Sequence, residues 1–314
     1  MQTGTVIKST GSWYNVRMDS GDVLPCRIVG KFRLNGLNIT NPVAVGDKVE
    51  ISPEGESGLI QKILPRLNYV ARQSPRSKHD LHLLASNVDQ ALLISTIIQP
   101  NLKPGFIDRF LMMTEPSDIP VIIAFNKSDL YSEDDMELYK IMHYIYTAIG
   151  YKVILVSADT GYGKEELASL LKGKVTLVGG QSGVGKSSLV NRIQPQLHLR
   201  TKQISGYSGK GQHTTTFAEM LELDFGGAII DTPGIKTLSF NNLEPADVAH
   251  NFREFFKLSV GCRFGGQCLH RNEPGCAIKS AIEAGEVSEV RYENYLAILE
   301  EVEAQNHWER HKKM

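Results

Sequence analysis

Apolar and polar positions change their rhythm along this chain, and the changes mark out structural elements before any side chain's chemistry matters. Up to about residue 65, the runs TGTVIKS, SWYNVRM, LPCRIVG and GDKVEIS are separated by Gly, Asn, Asp and Pro. Short strand-like runs between turn residues, without a helical period, predict a small all-β unit, a five-stranded barrel of the OB type. From 62 to 79, KILPRLNYVARQSPRSKH carries five Lys or Arg, no acid and two prolines. This composition reads as a basic linker, placed at 66–85. Strands and helices then alternate to about residue 240. VDQALLI (88–94), PVIIAF (120–125), YKVILV (151–156) and VTLV (175–178) have the length and apolarity of buried parallel strands, and FAEMLEL and GGAIID read as two further strands. PGFIDRFLMMTE (104–115) predicts a helix with Phe106, Phe110 and Met113 on one side, and Ser132 followed by three acids opens another. The alternation predicts a doubly wound α/β sheet over 86–243. The remaining 244–314 are too few to bury a generous core of their own. Within them SEVRYENYLAILEEVEAQ has apolar residues at 295, 298, 299 and 302, a helical stripe expected to cover the cysteine-rich segment before it.

Composition narrows the class. With 314 residues, 41% hydrophobic and 22% charged, the chain suits two or three globular domains. It has no run near the ~18 apolar residues of a membrane span, and MQTGTVIKSTGS lacks the basic-then-apolar layout of a signal peptide. The expectation is a cytoplasmic protein with no membrane contact. A net charge of −1 confines any nucleic-acid contact to local patches. In the barrel, Trp13, Tyr14, Lys31, Phe32 and Arg33 offer stacking and charge for RNA. The same aromatics can instead pack the barrel, because neighbours in a strand point to opposite faces and one of Trp13 and Tyr14 belongs inside. The basic linker and the tail HWERHKKM likewise suit a phosphate backbone or serve only as solvated connectors. Cys26 sits in a strand as an apolar filler. Cys262, Cys268, His270 and Cys276 fall within fifteen residues, a Cys₃His tetrahedral set of the kind that holds a structural zinc ion and draws folding energy from it.

The sharpest chemistry lies at 180–187, GQSGVGKS, between a predicted strand and the helix SSLVNRIQ. Glycines let backbone N–H groups close around phosphate oxygens, and the helix N-terminus adds partial positive charge. The loop residues Gly180, Gln181, Ser182, Gly183, Val184 and Gly185 cradle a nucleoside triphosphate. Lys186 reaches the β- and γ-phosphates, Ser187 ligates Mg²⁺, and Ser188 follows in the first helical turn. NKSD at 126–129 directly follows PVIIAF. There Asn126 and Lys127 precede Asp129, whose carboxylate can accept from guanine N1–H and its 2-amino group, donors that adenine lacks in that arrangement. Ser157 and Ala158 follow YKVILV, with a backbone N–H available to guanine O6. Asp231 opens DTPG (231–234) after GGAIID, positioned to hold Mg²⁺ through water, with the Gly234 N–H facing the γ-phosphate.

These are the signature elements of GTPases in an altered order, with the guanine-reading motif ahead of the phosphate loop. That order is a circular permutation, tolerated when the cut falls in a surface connection. A permuted GTPase between an N-terminal β-barrel and a C-terminal cysteine cluster resembles the ribosome-assembly GTPase family called RsgA or YjeQ, along nearly the whole chain. The likeness includes GKGQHTTT at 209–216, similar to that family's switch I, and the C-x-H and EPGC spacing of its zinc knuckle. The first gap, five residues from Cys262 to Cys268, is one longer than that knuckle leads one to expect, which bears on loop shape more than on ligand identity.

The resemblance implies three parts: an OB-type barrel (1–65), a permuted P-loop GTPase domain (86–243) and a zinc-binding helical domain (244–314). It implies hydrolysis of GTP to GDP with Mg²⁺, late maturation of the small (30S) ribosomal subunit as the task, rRNA as the contact, a monomer, and release on hydrolysis. Ile235 stands where familiar GTPases place the water-orienting glutamine, so intrinsic hydrolysis is expected to be slow and stimulated by the subunit. His213 is the expected water-positioning residue and Thr215 the switch I ligand of Mg²⁺. Two other readings stay open: a small-molecule kinase using the same phosphate loop, and an RNA-binding scaffold with a vestigial nucleotide site.

Overall fold

The computed structural model describes residues 1–28, 39, 41–73, 81–197, 218–231, 240 and 243–312. The N-terminal strands are β1 (Gln2–Ser9), β2 (Tyr14–Met18), β3 (Val23–Ile28), β4 (Lys48–Glu54) and β5 (Ser57–Ile63). They pair in the order β1-β2-β3-β5-β4, and β4 closes back on β1, so the sheet is a barrel. Alternation sets its inside: Tyr14, Val16 and Met18 of β2 are buried with Val6, Cys26, Val49, Ile51 and Ile60. Of the two adjacent aromatics, Tyr14 is the core residue and Trp13 stays at the surface beneath the Arg27 guanidinium, 4.9 Å away. Lys31, Phe32 and Arg33 lie outside the described residues.

Part of the expected linker is strand. β6 (Tyr69–Gln73) pairs antiparallel with β7 (Leu81–Ser86). Arg66 of the linker, expected to face either a phosphate backbone or water, is a buried partner of Asp47, with Nε and Nη2 each 2.6 Å from a carboxylate oxygen. The Ser86 hydroxyl (2.6 Å) and the Ala44 N–H (2.9 Å) complete the shell of that carboxylate. A buried charge needs such full pairing, and here it ties the barrel to β7.

The central elements are β8 (Gln90–Ser95), α1 (Pro104–Thr114), β9 (Val121–Phe125), α2 (Glu133–Ala148), β10 (Lys152–Leu155), α3 (Lys164–Leu171), β11 (Val175–Gly180), α4 (Lys186–Ile193), β12 (Glu219–Glu222) and β13 (Ala228–Asp231). Their order is β10-β9-β8-β11-β13-β12, parallel except for β12. Both faces are covered, with α1 and α2 on one side and α3 and α4 on the other, which is why the strands read as unbroken apolar runs. α2 begins as expected: Ser132 accepts from the Asp135 N–H while Asp135 accepts from the Ser132 N–H. From β8 the chain winds outward through β9 and β10, then returns to β11 on the other flank of β8. The ends of β8 and β11 are therefore a topological switch point, where such sheets leave a crevice for ligands.

The C-terminal part consists of α5 (Pro245–His250), α6 (Arg253–Ser259), α7 (Ala277–Glu283) and α8 (Glu289–Lys312). Tyr295, Ile298, Leu299 and Val302, the predicted stripe, are all buried. They cover the cysteine segment, where the hydroxyls of Tyr292 and Tyr295 donate to the carbonyls of His270 and Leu269 at 2.7 and 2.8 Å. Instead of a small core of its own, the region extends the core over α1 and α2. At that junction lies Arg291, which donates to Asp108 of α1 and, from Nε and Nη2, to Glu254 of α6 at 2.7 and 2.9 Å. Asp108 also accepts from Tyr146 (2.8 Å) and Asn294 (2.6 Å). Among the described residues no helix is long and apolar enough to cross a membrane.

Candidate functional site

The phosphate loop leaves β11 at the switch point, and its glycines are required by what approaches them. Gly180 has φ 146°, and a Cβ there would lie 2.3 Å from the Ile94 carbonyl oxygen of β8. Gly185 has φ 89°, and a Cβ there would lie 2.4 Å from Asn126 Nδ2. Any side chain at Gly185 would therefore push away the first residue of NKSD. This is the physical link between two motifs 59 positions apart, from 126 to 185.

Asn126 is fully buried and joins three segments. Its Nδ2 donates to the Val184 carbonyl at 2.8 Å, and its Oδ1 accepts from the Ala158 N–H at 3.0 Å. The phosphate loop, NKSD and the 157–158 pair thus share one side chain. Lys127 is held at φ 67° and its ammonium donates to the Gln99 carbonyl. Asp129 is exposed, and the buried Ser157 hydroxyl donates to its Oδ1 while accepting from the Thr160 N–H at 3.0 Å. The carboxylate is oriented by a serine behind it and open to a ligand in front.

The Lys186 ammonium donates to the carbonyls of Gly180 and Gln181 at 2.8 and 2.9 Å. Burial pushes Lys186 below its ordinary value, and the nearby Asp231 carboxylate opposes this. Asp231, at the end of β13, is pushed up by burial and held back by Lys186. The two are half-buried charges of opposite sign, each felt by the other, at the ends of α4 and β13. Ser187 is half-buried in the first turn of α4; Ser182, Gly183 and Ser188 are exposed. His213, Thr215 and Gly234 lie outside the described residues, as does Ile235.

Sequence reading missed Tyr131. Its hydroxyl accepts from the Ile97 N–H (3.0 Å) and donates to the Asn126 carbonyl (2.7 Å), bracing NKSD against the segment that leads from β8 into α1. Pro100 of that segment packs beside Gly183. No motif marks these residues. The one signal was position: a tyrosine just behind Asp129, facing the end of a neighbouring strand.

A second cluster forms in the C-terminal part. The ligand atoms of Cys262, Cys268, His270 and Cys276 all lie within 4.8 Å of one another, and all four residues are buried. The His270 Nδ1 is 3.6 and 3.4 Å from the Cys262 and Cys276 sulfurs, while its Nε2 is buried without a partner. The imidazole therefore directs Nδ1, not Nε2, into the cluster. No cysteine is in a disulfide. Glu273 holds the turn by accepting from the N–H groups of Leu269 (2.9 Å) and Arg271 (2.7 Å). Burial pushes the Cys268 thiol up to about 12 and lowers His270. A cation reverses the thiol's shift, because it favours the thiolate. Four converging, buried soft and borderline donors fit one metal ion.

Comparison with known proteins identifies the family. The model of the RsgA GTPase family matches residues 63–241, and that of the RsgA N-terminal domain matches 3–60. A protein of Flavobacterium psychrophilum named small ribosomal subunit biogenesis GTPase RsgA is 49% identical over 95% of this chain and 92% of its own length. One of the same name from Bacteroides fragilis is 47% identical over 96% and 97%. Among solved structures, YjeQ from Thermotoga maritima is 37% identical with a TM-score of 0.77, covering 96% of this chain and 98% of that one. YloQ, described as a circularly permuted GTPase, is 31% identical with a TM-score of 0.72 over 97% and 96%.

Proposed function

Because the chain belongs to the RsgA GTPase family, we propose that it hydrolyses GTP to GDP and phosphate while bound to the small ribosomal subunit, assisting that subunit's late maturation. The observation that carries the nucleotide reading is Asn126, whose one amide holds the phosphate loop at Val184 and the base-side turn at Ala158. A ligand spanning these two loops has phosphates at one end and a base at the other. Asp129, oriented by Ser157, accepts from guanine N1–H and the 2-amino group, and the Ala158 region meets O6. The loop N–H groups cradle the phosphates. Lys186 exchanges its carbonyl partners for β- and γ-oxygens, a stronger charge-assisted interaction. Mg²⁺, bound with the nucleotide, neutralises phosphate charge, and Ser187, Thr215 and Asp231 are the residues to hold it. His213 positions the attacking water and the Gly234 N–H senses the γ-phosphate. With an aliphatic residue at 235, hydrolysis by the free protein is slow and docking accelerates it.

In this reading the ion in the Cys₃His site is Zn²⁺, with a structural role. The working division is barrel 1–65, linker 66–85, GTPase domain 86–243 and zinc-binding domain 244–314. The protein acts as a cytoplasmic monomer. Barrel and zinc domain contact rRNA, GTP favours the docked state and hydrolysis releases it, which requires different subunit affinities in the two nucleotide states.

The test is steady-state GTP hydrolysis by the full chain with and without isolated 30S subunits, alongside Asp129→Asn. The expected result is slow turnover that rises with subunits, and a variant that loses GTP but accepts xanthosine triphosphate, whose 2-oxo group pairs with an amide donor. Equal use of GTP and ATP by the native chain would overturn the base assignment, and rates indifferent to the subunit would overturn the partner.

A further inference from the structure

Among the described residues of the C-terminal part, three exposed apolar side chains gather on one side. Phe256, Val260 and Phe264 are 61%, 86% and 49% exposed. Phe256 and Val260, four residues apart across the end of α6, share a face. The His250 ring lies edge-on to Phe256 at 6.1 Å, and a Cβ on Gly266 would meet His250 Nε2 at 3.3 Å. That contact brings the turn at 265–267, and Phe264 just before it, to the same side. Lys257 and Arg263 are exposed on this stretch, and the Arg263 guanidinium lies 5.8 Å from the Phe264 ring centre. From 255 to 271 the chain contains no Asp or Glu.

The fold does not explain these side chains. Phe255 and Leu258 of the same segment already serve the core, and the exposed set contributes nothing to it. Another exposed apolar stripe, Leu138, Ile141 and Tyr144 on α2, is interleaved with acids such as Glu137 and Asp134, so its charge selects no anion. The α6 face is different: its aromatic rings come from a stretch that carries Lys257 and Arg263 and no acid of its own, a combination suited to a polyanion with flat faces.

We infer that this face binds unpaired RNA nucleotides, with bases stacking on Phe256 and Phe264 and with Lys257, Arg263 and His250 meeting the phosphates. Paired RNA buries its base faces, so two exposed rings select single-stranded or splayed nucleotides. Val260 supplies apolar surface beside the stacked base. The inference rests on the ribosome-docking reading and adds to it the class of rRNA element and the side chains that grip it.

The test uses the full, metal-loaded chain with a non-hydrolysable GTP analogue and isolated small subunits. Phe256→Leu and Phe264→Leu keep bulk and apolarity but remove the π-face, and Phe256→Trp and Phe264→Trp keep it. Each Leu variant should lose affinity on the order of tenfold, the Trp variants should bind like the native chain, and nucleotide affinity should be unchanged in all four. A photo-crosslinker at position 256 should attach to rRNA. Leu variants that bind normally, or a crosslink to a ribosomal protein, would overturn the stacking assignment. If the native chain does not hold subunits at all, the ribosome reading falls on its own. The same variants titrated with single-stranded oligouridylate then still decide, since equal affinity across them overturns this face.

Discussion

The barrel and the C-terminal helices flank the nucleotide sheet, yet they are attached to it by opposite means. The barrel closes its own core around Val6, Tyr14, Val16 and Ile51. It meets the sheet edge at one register, Lys8 opposite Glu219, with the Ser9 N–H donating to the Ala218 carbonyl at 3.2 Å. The Lys8–Glu219 ion pair, 3.1 Å apart, remains a third exposed on both sides. The C-terminal helices have no separate core. Tyr295, Ile298 and Leu299 belong to the same apolar body as Phe110 and Met113 of α1, with Arg291 buried between Asp108 and Glu254. Edge pairing permits displacement at little cost, whereas a shared dry core permits almost none. The barrel therefore keeps a core of its own, held to the sheet domain by this edge and by the buried Asp47–Arg66–Ser86 set, whereas the C-terminal helices move with α1 as one body.

Metal removal breaks the comparison most severely. Stripping the Cys₃His ion with a chelator removes on the order of 10 kcal/mol of binding free energy. Because the core is shared, hydrogen exchange should show α8 and α1 losing protection together while β1 to β5 stay protected. Persistent protection of α1 would mean that the two parts hold separate cores. Arg291→Ala comes next. It strands two buried carboxylates and should lower unfolding free energy by about 3–5 kcal/mol in a urea titration; a loss below about 1 kcal/mol would mean that water reaches the junction. Lys8→Ala has the smallest effect, about 0.2–1 kcal/mol and weaker in high salt, because solvent already screens the pair. A loss comparable to that of Arg291→Ala would show the barrel to be locked as firmly as the helices.

Much of the site was legible in one dimension because its chemistry is carried by neighbouring backbone groups. A phosphate cradle needs glycines and a lysine at local spacing, and a metal knuckle needs its donors within a few turns, so GQSGVGKS and the four potential donors Cys262, Cys268, His270 and Cys276 stood out. Strand type was equally plain, since a sheet covered on both faces leaves no polar alternation to confuse it. Linker composition misled at Arg66, because a cation in a Pro-rich stretch looks the same whether it faces water or Asp47.

Pattern and motif alone determined a glycine-rich strand–loop–helix, the turn NKSD directly after a buried strand and a cluster of four potential metal donors, because each depends on interactions within a few residues. Only the tertiary structure decided that Tyr131 braces the turn, that Tyr14 rather than Trp13 enters the barrel, and that Arg291 joins helices 183 positions apart. Those outcomes depend on which surfaces meet after collapse, and a residue's neighbours in sequence carry no record of its neighbours in space.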